Sequence, residues 1–333
     1  MNWEEQTRNL LQPRAYIKPF LYPEVLQHKD AIRHSYWVHT EFNYDPDIQD
    51  YKVGVTEPER TLFTRAVLGI SQIEVKVKDF WINIKNMFPH YEIAQVGVTF
   101  GESEERHFDA YSHILEVLGL NELFQQIDTI PVLRDRYNYL EKVLKKETNT
   151  PDEIAVKIAL FTEFIEDVGL VGFFYVIMAF NRGEKKRFKG ISNAVEATSK
   201  EENIHAEFGR LLFNILKEEN PYIGESLHIQ ESMRNTLLKG YAAEMKIVDW
   251  LFEEGDVEDV TKAEVVNFIS GRFNRVAQSM GVEVTFQTDE ELTKKNNWFY
   301  EELEAPKEKD FFDKRATDYT KGSRSYDINN MFD

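Results

Sequence analysis

Two stretches of the chain, Glu104-Glu105-Arg106-His107 and Glu202-Asn203-Ile204-His205, each place a carboxylate and an imidazole three residues apart. On a helix that spacing puts both side chains on one face, one turn apart. Two such Glu-x-x-His helices, with one Glu from each of two further helices, make the ligand set of a dinuclear carboxylate metal site in a four-helix bundle. The pattern is cheap by itself. At roughly one Glu in ten positions, a chain with eight His holds about one Glu-x-x-His by chance. A third copy, Glu225-Ser226-Leu227-His228, follows Asn220-Pro221 and Gly224 near a helix start. It has no matching lone acid in an apolar helix, and it reads as accidental.

The elements that must carry these residues are helices. Amphipathic periodicity runs through long segments and strand alternation is scarce, so the fold class is all-α. Thr56-Glu57-Pro58-Glu59, Thr150-Pro151-Asp152-Glu153 and Thr261-Lys262-Ala263-Glu264 are capping-box starts. Phe88-Pro89, Gly119, Asn181-Arg182-Gly183 and Gly255 are stops. Helices are expected over 57–88, 90–118, 151–181, 184–218, 222–254 and 262–280, with shorter ones near 22–34 and 131–147. The expected organisation is an N-terminal segment over 1–20, a helical domain carrying the site over 21–303, and a flexible C-terminal tail over 304–333.

Helix geometry then supplies a test. Antiparallel helices joined by a short turn bring residues equidistant from the turn to one level. Pro89 lies 15 residues before Glu104, and 15 residues back from Pro89 is Glu74, flanked by apolar residues. Gly183 lies 19 residues before Glu202, and a similar distance back reaches Glu163, Glu166 and Asp167. These are the only acids between Ile158 and Phe180. Buried carboxylates are costly unless paired or metal-bound. An oxygen-rich set with two imidazoles suits Fe or Mn better than structural Zn. Tyr111, four residues after His107, shares the helix face and is within reach of one-electron oxidation from the site.

Composition narrows the function classes. Net charge is −18 and the isoelectric point is near 5.0, which argues against nucleic acid as a partner. With no Cys, both disulfides and thiol chemistry are excluded. The N-terminus shows no signal peptide. The longest apolar run, Val168 to Phe180, is 13 residues, too short to span a bilayer. A cytoplasmic protein with no membrane partner is expected.

Glu104-x-x-His107-x-x-x-Tyr111, followed by Ser112-His113-Ile114, closely resembles the small, radical-generating subunit of class I ribonucleotide reductase, and Glu202-x-x-His205 matches the same family. The resemblance runs from about Tyr36 to Tyr319. Tyr36-Trp37 is similar to the family's aromatic–Trp pair. Phe311-Phe312-Asp313-Lys314-Arg315-Ala316-Thr317-Asp318-Tyr319 resembles its radical-relaying tail, and Asn330-Met331-Phe332-Asp333 its docking end. The resemblance selects Glu166 over Glu163, because Ala179-Phe180 follows Glu166 at the family's spacing. Two departures stand out: Glu74 where tyrosyl-radical iron members commonly have Asp, and Glu201 where the family commonly has Asp. Glu at the first position occurs in manganese-using subtypes.

The resemblance implies a ferritin-like helical bundle with additional helices. It implies two Mn or Fe ions held by Glu74, Glu104, His107, Glu166, Glu202 and His205. Oxygen or superoxide would be the oxidant, and the oxidising equivalent would rest on Tyr111 or on the metal pair. Trp37, Glu201 and His107 would begin a transfer route, and Tyr319 would relay it to a large catalytic subunit docked through the C-terminal tail. The small subunit would be a homodimer. A di-metal oxidase with its own substrate pocket, or a metal-storage bundle, would use the same six ligands but has no use for Trp37 or Tyr319.

Overall fold

The computed structural model describes residues 8–182 and 184–304, and no strand occurs among them. Four elements carry the candidate ligands. Helix α3 (Glu57–Ile82) follows α1 (Leu26–His34) and the short α2 (Asp45–Gln49). Helix α4 (Tyr91–Val117) runs back along α3. After α5 (Asn121–Gln125) and α6 (Pro131–Lys145), α7 (Pro151–Ala159) passes into a π-helical segment, Leu160–Gly169, and then α8 (Val171–Arg182). Helix α9 (Lys189–Glu219) packs on both α8 and the π segment. The short α10 (Tyr222–Glu225), then α11 (Leu227–Leu251), α12 (Lys262–Met280) and α13 (Glu290–Glu304), complete the described chain. Helices α11 and α12 pack on each other and on the π segment, while α1 packs on α4 and α9.

The helix starts follow local chemistry. Thr56 with Glu59, and Thr261 with Glu264, form complete capping boxes, each worth about 1 kcal/mol to its helix. Thr150 makes only half of one: it accepts from the Glu153 N–H, while the Glu153 carboxylate turns to the Asn149 N–H. Two glycines let backbones meet at the bundle centre. A Cβ at Gly209 of α9 would fall 1.8 Å from Thr162 Cγ2 on the π segment. A Cβ at Gly97 of α4 would fall 2.4 Å from the Trp81 carbonyl on α3. Either contact is impossible without separating the helices.

Several expected boundaries move. The first long helix ends at Ile82 and a 3₁₀ turn, Ile84–Asn86, carries the chain on. Glu74 therefore lies eight residues from the end of its helix and Glu104 thirteen from the start of the next. Helix α9 starts at Lys189, not 184, because the preceding residues are committed to other bonds. Arg187 pairs with Glu59 at 2.7 Å and with Asp259. Phe188 adopts a left-handed φ of 56° and its N–H donates to Asp50. The expected helix over 222–254 is broken at Ser226, whose hydroxyl caps the Ile229 N–H. Nor do residues 8–20 trail free: Leu10 is fully buried, its N–H donates to Glu219, and Arg14 pairs with buried Glu92.

Candidate metal centre

Six side chains from four elements converge where α3, α4, the π segment and α9 meet. They form two overlapping groups: Glu74, Glu104, His107 and Glu202, and Glu104, Glu166, Glu202 and His205. Within each group the ligand atoms lie within 4.8 Å of one another. Glu104 and Glu202 belong to both, so each end has its own Glu and His and the two middle carboxylates are shared. All six residues are buried.

The imidazoles show what the arrangement lacks. His107 Nε2 lies 2.8 Å from Glu201 Oε2, which leaves Nδ1 facing the cluster. Nδ1 stands 2.9 Å from Glu202, 3.4 Å from Glu104 and 3.8 Å from Glu74, yet it hydrogen-bonds none of them. His205 is held through Nε2 by Ser103 Oγ at 2.9 Å, and its Nδ1 faces Glu104 at 3.1 Å and Glu202 at 3.0 Å. Trp81, on the same helix as Glu74, donates its indole N–H to Glu166 Oε1 at 2.8 Å. Both oxygens of Glu74, both of Glu104, Oε2 of Glu166 and Oε1 of Glu202 have no hydrogen-bond partner. Orphaned buried carboxylate oxygens at this density are a severe penalty in a protein interior. A pair of cations among them removes it, so the donor set fits a dinuclear centre of hard or borderline metals.

Electrostatics carry the same message. Burial, reinforced by the neighbouring carboxylates, pushes Glu74 and Glu166 well above the ordinary carboxylate range. Burial works against charge on His205, but Glu202 and Glu104 outweigh it and raise the ring to about 9. His107 is raised as well, against burial, by Glu104, Glu201 and Glu202. Glu202 is lowered despite burial because both imidazoles face it. Binding of ions at such groups releases protons from them. Phe100, Phe161 and Phe208 pack around Trp81 and exclude water from this end of the site.

Glu163 is not in the cluster. It hydrogen-bonds Ser279 at 2.9 Å and meets Arg210 at 3.3 Å, while Asp167 pairs with Arg272. Tyr111 is buried with its hydroxyl unpartnered. Burial and the nearby Glu74 push that hydroxyl well up, with an opposing pull from Thr198. Trp37, in the extended link after α1, stacks on His107 with ring centroids 5.8 Å apart and planes at 16°. Its indole N–H has no partner and does not reach Glu201. Glu225 and His228 are both exposed, away from any ligand group among the described residues. Tyr319, the segment Phe311–Asp318 and the end Asn330–Asp333 lie outside the described residues.

Sequence reasoning missed two residues that hold the ligands, Trp81 and Ser103, and Arg106, which holds Glu201. A signal existed for the first two. Trp81 is seven residues after Glu74, two turns along one face. Ser103 directly precedes Glu104.

Comparison with known proteins bears on the same chain. The family model for the ribonucleotide reductase small chain matches residues 14–308. The chain belongs to that family. It is 26% identical to the probable ribonucleoside-diphosphate reductase small subunit of invertebrate iridescent virus 3, over 96% of this chain and 87% of the relative. It is 24% identical to the ribonucleoside-diphosphate reductase subunit beta of Chlamydia pneumoniae, over 87% and 86%. Its fold matches the crystal structure of a putative class I ribonucleotide reductase from Bacillus halodurans, with a TM-score of 0.75 at 16% identity, covering 84% of this chain and 99% of that one. It also matches the dimanganese(II)-NrdF of Streptococcus sanguinis, with a TM-score of 0.73 at 14% identity, covering 86% and 99%. The fold is thus the ferritin-like bundle of the small chains, and the family's enzyme is an oxidoreductase in which the small subunit works with a large one. No described helix is long and apolar enough to cross a membrane.

Proposed function

We propose that this ribonucleotide reductase small chain holds two metal ions, Mn or Fe, and generates the oxidising equivalent its large subunit uses to reduce ribonucleotides. The observation that carries the reading is the pair of overlapping ligand groups sharing Glu104 and Glu202, with their carboxylate oxygens unpartnered. Glu74 and His107 would help hold one ion and Glu166 and His205 the other, with Glu104 and Glu202 belonging to both ligand groups. The chemistry such ions would supply there, with oxygen or superoxide as the oxidant, is a strong one-electron oxidising equivalent.

The chain's own residues would do the rest. Ser103 and Glu201 fix the outer nitrogens of the two imidazoles, so that each Nδ1 is presented to the centre. Tyr111 is buried beside Glu74 with a free hydroxyl, which suits it to store the oxidising equivalent as a radical away from water. Trp37 stacks on a ligand ring and would be the first carrier on the way out. Tyr319, in the tail over 304–333, would carry the equivalent across to the large subunit docked on that tail. The functional small chain would be a homodimer.

Ending the chain at Asp313 tests the export half, since it removes Tyr319 and the Asn330–Asp333 end. Ribonucleotide reduction with the large subunit should vanish, while metal binding and reaction with oxygen persist. Surviving reduction would defeat the tail's role. Electron paramagnetic resonance on Tyr111→Phe tests the store: loss of an organic radical signal supports Tyr111. An unchanged signal with retained activity assigns storage elsewhere.

A further inference from the structure

The residues that would begin the transfer route depart from a simple Trp–carboxylate–His line, and Arg106 sits among them. Its guanidinium is buried and makes a fork to Glu201: Nη1 to Oε2 at 3.2 Å and Nη2 to Oε1 at 3.1 Å. The same Nη1 donates to the Trp37 carbonyl at 3.1 Å. Its Nε reaches Glu102 at 3.1 Å, and the guanidinium lies 4.6 Å from the Tyr36 ring centroid and 5.5 Å from that of Trp37. Both Glu201 oxygens are therefore engaged, by Arg106 and by His107. None remains aimed at the indole, whose N–H is buried and unpartnered. What joins Trp37 to the centre is its near-parallel, offset stacking against His107.

We propose that Arg106 is a positioning residue that ties the Trp37 backbone to Glu201 and so sets the indole flat on His107, making that stack the path of electron transfer. The inference rests on the reading that the oxidising equivalent leaves through Trp37. In that step Trp37 would give up one electron to the one-electron oxidant held at the centre, which would take it up. The indole keeps its proton, since no acceptor stands at its N–H. A planar fork is required, because one group must reach two carboxylate oxygens and a carbonyl at once. Lysine, a point charge with no such fork, cannot.

The test uses full-length protein with four variants: Arg106→Met, Arg106→Lys, Trp37→Phe, and Trp37→Phe combined with Arg106→Met. Three readouts are taken: metal ions per chain, the fluorescence owed to Trp37, and turnover with the large subunit. The Trp37 fluorescence is the difference between each protein and its Trp37→Phe counterpart, measured metal-free. With metal content kept, Arg106→Met should alter that difference spectrum and slow turnover roughly 10-fold or more, as expected when a reacting pair is displaced by about 1 Å. Arg106→Lys should not restore it, and the double variant should be no slower than Trp37→Phe alone. An unshifted Trp37 spectrum in Arg106→Met, full turnover in either Arg106 variant, or effects of Arg106 and Trp37 that simply add would each overturn the proposal. Full turnover in Trp37→Phe itself would instead overturn the export reading beneath it.

Discussion

One π-helical segment presents three buried acids, Glu163, Glu166 and Asp167, to two different neighbourhoods. On one side Glu163 and Asp167 meet Arg210, Arg272 and the Ser279 hydroxyl. On the other, Glu166 meets two more carboxylates and receives a single indole N–H, from Trp81. The first arrangement is a structural ion-pair network that neutralises itself. The second is left for something outside the chain to neutralise. Burial of acids therefore does not mark the site; burial of acids without cations does.

Breaking the paired side should have the largest effect. Arg272→Met leaves Asp167 with only the more distant Arg210, and unfolding of the metal-free protein in denaturant should show a loss of about 3 kcal/mol. An unchanged midpoint would mean the network is not what holds the π segment. Next in size is a change to what holds a ligand. Ser103→Ala removes the partner of His205 Nε2, and metal affinity measured by competition with a chelator should fall about 10- to 100-fold with stability little changed.

Glu74→Gln sharpens the contrast by its sign. Burial holds Glu74 well above the ordinary carboxylate range, so at neutral pH the metal-free fold must keep a proton that the unfolded chain releases; the neutral amide removes that cost, and stability should rise by on the order of 1 kcal/mol, while metal binding weakens. A loss of metal-free stability would contradict the raised value of Glu74. The smallest effect is a pH dependence. Burial, with Asp167 beside it, raises Glu163 to about 7 from an ordinary 4.5 in spite of Arg210. A raised carboxyl stabilises the fold fully below the unfolded value, and that contribution is lost as pH rises through the folded one. Replacing Glu163 with Gln should therefore shift unfolding free energy progressively in the variant's favour between pH 4.5 and about 7, and level off above. A flat difference across that window would contradict the raised value.

Much of this is legible in the amino-acid sequence. The two Glu-x-x-His motifs sit on single helices, where spacing translates directly into a face, and counting back from Pro89 reached Glu74. The count tolerated the early end of α3 because the 3₁₀ turn Ile84–Asn86 makes up part of the missing helix. Composition could not choose among Glu163, Glu166 and Asp167. In an α-helix residues three and four apart share a face, and the π segment that separates them leaves no mark in sequence. The resemblance to a known family pointed to Glu166, and the geometry puts that residue among the other five. Arg106 was invisible for a different reason: its partners Trp37, Glu102 and Glu201 come from three distant parts of the chain, and only packing brings them to it.

The central claim is that two ions share Glu104 and Glu202. It is tested most directly by titrating metal-free protein anaerobically with Mn(II) or Fe(II) and counting ions bound per chain, in the parent and in Glu202→Ala. Two per chain in the parent and neither retained tightly in the variant, because the lost carboxylate belongs to both ligand groups, is the predicted result. Two ions still bound in Glu202→Ala, or fewer than two in the parent, would contradict it.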